Sequence, residues 1–322
     1  MAKAPRYEGL TPETTPAEAA RAILRPLLAA ALSESPAVLR EQDVRATHDM
    51  RVALRRLRSA LDTFADEFPA DEVRFHARAL RRLARRLGEV RDADVHLAEL
   101  RSALGGATAP ESAGIAHAIE ATIARRRAAL ARFAIELSQF DRDALAATIA
   151  APHDGSHPQR LRTFARHTLR KRSSAVRRAA RAAFPSGRDD DLHALRKKVK
   201  RLRYALEFFA ALLGPAGAEA VEELTRAQDR LGTIADAAAF RHAYETLLAP
   251  LDAADPRRVG LAACCKAARA RRKKALAAAR ALWTADDGQP GKLAASISSA
   301  LGSLSPKSAA NGPAGTTSNT GR

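Results

Sequence analysis

The sequence predicts an all-α protein, and three observations carry that prediction. Ala and Leu, both strong helix formers, dominate the apolar residues, which make up 46% of 322. No recurrent Val/Ile/Thr alternation marks a strand, and aromatic residues, at 4%, are scarce. Turn chemistry punctuates the chain at helical intervals: Ser35-Pro36, Pro69, Gly105-Gly106, "PHDGSHP", Pro185-Ser186-Gly187, Gly214-Pro215 and Pro250. A chain of this length is able to bury a sizeable core.

Residues 1–16 carry Pro5, Pro12 and Pro16 and read as a flexible leader. Apolar periodicity then predicts about five helices in a first half (about 17–140), at roughly 17–34, 44–67, 71–87, 90–104 and 112–137. After "PHDGSHP" a second half (160–283) follows, with helices at roughly 160–183, 189–212, 217–231, 234–249 and 257–283. Asp189, Asp190 and Asp191 place carboxylates at the start of one of them, where they complement the exposed N–H groups. From Thr284 to Arg322 the chain is rich in Gly, Ser, Ala and Pro, the composition of a low-complexity, disordered tail. A short helix around Lys292 to Leu304 fits inside it.

The two halves resemble each other. Pairing His48 with His193, 145 positions apart, also pairs Arg51 with Arg196, Arg55 with Lys200, Arg56 with Arg201 and Arg58 with Arg203. Leu57, Leu61 and Phe64 meet Leu202, Leu206 and Phe209. At nearly the same spacing "RRLGEVRDAD" meets "DRLGTIADAA". The match spans several elements and indicates a tandem duplication. Two helical bundles related by a pseudo-two-fold axis are the expected architecture.

The net charge is +18 and the isoelectric point about 10.9, with 44 Arg against 10 Lys. Such a chain attracts polyanions: nucleic acid, anionic membrane or phosphate polymers. The charge is organised. At 100° per residue Leu54, Leu57, Leu61, Phe64 and Phe68 form an apolar stripe, and His48, Arg51, Arg55 and Arg58 line up beside it. His193, Arg196, Lys200 and Arg203 repeat that line, while Arg56 and Arg201 sit off it. Like charges three and four apart repel, and only Asp62 interrupts the first stripe. A solvated face would interleave more acids; a phosphate ligand would supply the missing charge, and the arginine fork binds its oxygens in pairs. For His48 and His193 three roles stay open: donation to phosphate, packing, or metal and catalytic work.

Adjacent Cys264 and Cys265 are poorly placed for a structural disulfide and lack zinc-ligand spacing. The N-terminus lacks a signal-peptide pattern, and no uncharged apolar run approaches the roughly 18 residues of a membrane span. The expectation is a soluble cytoplasmic protein.

"HDMRVALRRLRSALDTF", "LHALRKKVKRLRYALEFF" and "LGEVRDADV" resemble the CHAD family, the conserved histidine α-helical domain, over essentially residues 17 to 283. The resemblance implies two helical bundles around a basic cleft that binds inorganic polyphosphate, and association with polyphosphate granules and the proteins on them. Carried over by motif, the binding positions are His48, Arg51, Arg55, Arg56, Arg58, His193, Arg196, Lys200, Arg201 and Arg203. The second "LGxxRD" departs from the pattern, with Ala235 in place of Arg91. The ExExK strand of the triphosphate tunnel metalloenzymes that precede the helices in many relatives does not occur in the sequence. The expectation is therefore binding without catalysis: no catalytic residue, metal or cofactor, and an undetermined oligomeric state. Backbone-directed nucleic-acid binding is the alternative.

Overall fold

The computed structural model describes residues 7, 9–40, 44–153, 160–283 and 291–305. Its helices are α1 (Pro16–Ser33), α2 (Ser35–Leu39), α3 (Val44–Thr63), α4 (Ala70–Gly105), α5 (Ala109–Ser138), α6 (Arg142–Ala150), α7 (Leu161–Ser186), α8 (Asp189–Phe208), α9 (Ala210–Leu248), α10 (Arg257–Ala281) and α11 (Lys292–Gly302). A short 3₁₀ turn at Ala65–Glu67 follows α3. Among the described residues there is no strand, and the fold is all-α as expected.

Local chemistry sets several helix starts. Thr15 and Glu18 form a reciprocal capping box at α1, with Pro16 in the first turn, and Thr108 with Glu111 repeats the device at α5. Three aspartates occupy the first turn of α8. The Asp141 side chain accepts from the Ala144 N–H and starts α6, which the sequence reading missed because its nine residues are too few for a clear period.

Four predicted helices merge into two. The expected breaks at 88–89 and 232–233 do not form; α4 runs 36 residues and α9 runs 39. Gly88 and Gly232 stay helical despite a propensity cost of about 1 kcal/mol each. Of the expected breaks, Gly214-Pro215 becomes a kink: Gly214 adopts φ 56°, a left-handed conformation that glycine tolerates, and α9 continues beyond it. "PHDGSHP" lies mostly outside the described residues.

In the first half α1 packs on α3, α3 on α4 and α4 on α5; in the second α7 packs on α8, α8 on α9 and α9 on α10. The halves meet through α1 with α7, α3 with α8 and α5 with α10. Phe64, Phe164 and Phe209 join them: Phe64 stacks on Phe164 at 5.4 Å between centroids, and each meets Phe209 edge-on at 6.1 Å. A second apolar cluster, with Leu100, Ile115, Phe240, Tyr244 and Leu261, ties α4, α5, α9 and α10. There α5 and α10 cross so closely that a Cβ on Gly114 would lie 2.2 Å from the Arg257 carbonyl oxygen, and one on Gly260 2.0 Å from that of Glu111. Cys264 and Cys265 are buried there as free thiols, and burial pushes the Cys264 thiol up to about 11.

Two segments differ from expectation. Pro16–Leu39 is long and apolar enough to cross a membrane by length and composition, where the sequence reading found no such stretch. Its Ala20, Ile23, Leu24 and Leu27 lie in the core of the bundle. The short helix foreseen within the tail forms as α11, and its Leu293, Ile297 and Ala300, with Leu304 just beyond, join the main core against α9. The remaining tail, 284–290 and 306–322, lies outside the described residues, as do residues 1–6 and 8 of the leader. The described part of the leader is tied down: the Leu161 N–H donates to the Thr14 carbonyl at 2.8 Å, and the Tyr7 ring meets Phe208 edge-on.

Candidate anion-binding cleft

The basic stripes of α3 and α8 face the same space. A cleft of about 580 Å³ opens between them, walled by α4 and α9. His48, Arg51 and Arg55 enter from α3 and His193 and Arg196 from α8, with Arg91 and Asp92 on one wall and Gln228, Asp229, Thr233 and Asp236 on the other. Arg91 therefore reaches the cleft, and Ala235 lines it from the opposite wall, so that arginine's contribution is one-sided.

The glycines of the two "LG" motifs explain how the stripes reach inward. A Cβ on Gly88 would lie 2.7 Å from Arg51 Nη1, and one on Gly232 3.6 Å from Arg196 Nη2. At Gly88 the wall helix gives up a side chain where Arg51 passes over it; at Gly232 Arg196 passes at ordinary contact distance. The sequence carried this signal as two glycines at repeat-equivalent positions.

Electrostatically the cleft is crowded with cations. Burial, then the opposing charges of neighbouring arginines, pulls Lys200 down to about 6; Arg196, Arg55 and Arg51 face it, and Asp236 offsets them only in part. Burial likewise lowers Arg55 and Arg196. His48 is depressed by burial and Arg91, and His193 by burial and Lys197. Asp236 is pushed up by burial despite Arg196 beside it, with Asp92 adding to the rise. Arg51 Nη2 lies 3.2 Å from Asp92 Oδ1. Buried, mutually repelling cations of this kind are stabilised when an anion enters.

The other motif-derived positions are arranged differently. Arg56 and Arg203 also line the cleft, but both are buried on Glu207: Arg56 Nε is 3.0 Å from Oε2 and Arg203 Nε 3.4 Å from Oε1. Their charge is committed to an internal carboxylate. Arg58 and Arg201 do not line the cleft; Arg201 is exposed, and Arg58 is half-buried near it and near Arg81. Lys200 is not among the lining residues and lies within the field of Arg196 and Arg55. His76 and His96 are packing residues. His76 Nε2 meets Thr148 Oγ1 at 2.9 Å, and the His96 ring stacks on Phe240 at 4.5 Å.

Sequence reasoning missed Asp92, Gln228, Asp229 and Asp236 as cleft residues. Asp92 and Asp236 were visible as paired aspartates of "LGEVRDAD" and "LGTIADAA"; Gln228 and Asp229 had no comparable signal.

Comparison with known proteins agrees with this architecture. A profile of the CHAD domain matches residues 22–245. Two uncharacterised proteins of Mycobacterium tuberculosis, one from strain CDC 1551 / Oshkosh and one from strain H37Rv, are each 36% identical over 170 residues, 49% of this chain and 33% of theirs. The chain thus spans about a third of the length of those relatives. The crystal structure of the CHAD domain from the plant Ricinus communis superposes with a TM-score of 0.58 at 25% identity, covering 92% of this chain and 95% of that one. PptA from Streptomyces chartreusis shares the fold, with a TM-score of 0.60 at 20% identity over 84% of this chain and 98% of its own. On the profile match, the helix order and the shared fold, the chain belongs to the CHAD domain family.

Proposed function

We propose that the chain binds inorganic polyphosphate, without turning it over, in the cleft between α3 and α8, and that it does so on polyphosphate granules in the cytoplasm. One observation carries the reading: His48, Arg51 and Arg55 from one basic helix face His193 and Arg196 from the other across a single cleft of about 580 Å³. A linear phosphate chain, one phosphate wide, fits such a slot and touches both stripes along its length. A nucleic-acid duplex presents its phosphates on a cylinder too broad to enter. The cleft also offers Phe240 as its one aromatic lining residue, which is poor equipment for base stacking.

Either cationic set alone then binds weakly, because the second acts at high effective concentration only while the first holds the chain. The test is a competition titration of long-chain polyphosphate against duplex DNA at one stated salt concentration, on the parent and on two variants, Arg51→Glu with Arg55→Glu and Arg196→Glu with Lys200→Glu. Polyphosphate should win, and each variant should lose the whole binding event. DNA winning, or a half-stoichiometry of native affinity in either variant, refutes the shared cleft. Orthophosphate release above a buffer control in the presence of Mg²⁺ would make the protein an enzyme.

A further inference from the structure

Elsewhere in the chain, arginine-rich helices spend much of their charge internally. On α10, Arg269, Arg271 and Arg272 pair with Glu245, Glu99 and Asp189. On α5, Arg126 and Arg132 pair with Asp94 and Glu89. Helix α7 is the exception. No Asp or Glu stands between Leu161 and Arg188. Among the described residues only Arg172 of this helix meets a carboxylate, that of Asp62, at 3.3 Å.

Burial sets the direction in which the other cations point. Leu161, Ala165, Leu169, Val176, Ala180 and Ala183 are buried and form one stripe, by which α7 packs on α8, with smaller contacts to α1 and α11. Arg162, Arg170, Lys171, Arg177, Arg178 and Arg181 are exposed. At about 100° per residue they spread over roughly half of the helix circumference, on the side away from that stripe. From Arg162 to Arg181 the array runs roughly 28 Å along the axis. None of these residues lines the cleft. The face is also absent from the duplicated pattern, since Lys171, Arg177 and Arg178 correspond to Pro26, Leu32 and Ser33 of α1.

We propose that this face of α7 is a docking surface for duplex DNA, held through its phosphates without reading sequence, whichever polyanion the cleft takes. Charge and shape select that partner. Like charges at these spacings repel, and a polyanion laid over them removes the repulsion. Cations spread around half a cylinder match phosphates on both sides of a groove, whereas a single phosphate chain reaches only one line of them. The major groove of B-form DNA, about 12 Å wide, admits an α-helix; that of duplex RNA is too deep and narrow. Between the cations stand Thr163, His167 and Ser174, so the face lacks the large apolar side chains by which amphipathic helices enter membranes and protein interfaces form their cores. It also lacks Asn and Gln, the usual readers of adenine.

The experiment is fluorescence anisotropy with a labelled DNA duplex of mixed sequence on three full-length proteins: the parent, Arg170→Gln/Arg177→Gln/Arg181→Gln, and the cleft variant Arg51→Gln/Arg196→Gln. The α7 variant should bind DNA at least tenfold more weakly, with melting curves confirming its fold. Its slope of log affinity against log salt should be shallower by about 2.7, three phosphates at about 0.9 each. The single variant Arg177→Gln, at an exposed position, should lose about threefold and keeps the test available if the triple variant fails to fold. The cleft variant should hold DNA affinity within twofold of the parent, whatever happens to its polyphosphate affinity, so the two readings fail separately. DNA affinity within twofold of the parent in the α7 variant overturns the proposal. So does an equal loss in the cleft variant, which would move the duplex to the cleft mouth. Equal affinity for duplex RNA, or a preference above tenfold for one DNA sequence, overturns it as well. Phosphatidylglycerol vesicles held by the parent and released by the α7 variant, with DNA affinity unchanged, would make this a membrane face and overturn it too.

Discussion

Glu207 Oε2 lies 3.0 Å from Arg56 Nε across the contact between α8 and α3, and both side chains are buried. With Arg203 on its second oxygen, this carboxylate binds one arginine from each half of the chain.

Removing that charge takes a carboxylate partner away from two buried guanidiniums. Glu207→Gln should destabilise the protein by about 3–5 kcal/mol, lowering the melting temperature by roughly 10 °C. A thermal melt followed by circular dichroism reads it. A shift under 2 °C would mean that groups other than Glu207 compensate Arg56 and Arg203.

The two cleft glycines should respond unequally to alanine. At Gly88 the new methyl would lie 2.7 Å from Arg51 Nη1, so the flexible arginine end must move. Gly88→Ala should keep the fold, gain up to about 1 kcal/mol of helix propensity, and weaken polyphosphate binding several-fold. At Gly232 the nearest guanidinium nitrogen is at 3.6 Å, an ordinary contact, and Gly232→Ala should bind like the parent. Equal affinities for the two variants would detach Arg51 from the ligand.

Lys200 makes binding sensitive to pH. In the free protein it titrates near 6, held down by burial and by Arg196, Arg55 and Arg51. A phosphate chain favours the ammonium form, so the bound pKa is higher and binding takes up a proton between pH 6 and that higher value. Affinity should rise about tenfold per pH unit at most as pH falls through this window, then level off below pH 6 as far as Lys200 contributes. Calorimetry in buffers of different ionisation enthalpy counts the proton. Lys200→Met should abolish the uptake. It should also raise the melting temperature of the free protein at pH 7 by a few degrees, because unfolded Lys200 is protonated there and folding must release that proton. Uptake unchanged in Lys200→Met would assign it to His48 or His193, which burial also depresses.

Truncation before Lys292 should be costly. Leu293, Ile297 and Leu304 are buried in the main core, and each such side chain is worth about 1.5–3 kcal/mol before the ordering of α11 is set against it. A chain ending at residue 290 should melt at least 5 °C lower than one ending at 305. Equal melting temperatures would show that α11 rests on the bundle without supporting it.

The helices were legible because apolar period and turn residues agree, and of the two basic stripes read from spacing, His48, Arg51 and Arg55 with His193, Arg196 and Arg203 line one cleft while Arg58 and Lys200 do not. What escaped was anything decided between elements. Gly88 and Gly232 looked like helix ends, because sequence shows the lost side chain but not the arginine crossing above it. That Arg56 and Arg203 share Glu207 was not legible, because Glu207 pairs with Arg56 across 151 residues. The short helix α11 was foreseen, but not its place in the core, since its partners on α9 are far away in the chain.

The crossing of α5 over α10 at Gly114 and Gly260 has a kinetic corollary. With backbone atoms in contact there and α3 fixed to α8 through Glu207 and the phenylalanine cluster, the halves are pinned at two separate points. If the cleft captures a polyanion, no gating motion of the halves is expected. The rate of capture should be set by diffusion in the field of the protein, falling with ionic strength, and stopped-flow traces at rising ligand concentration should remain single-exponential with no plateau.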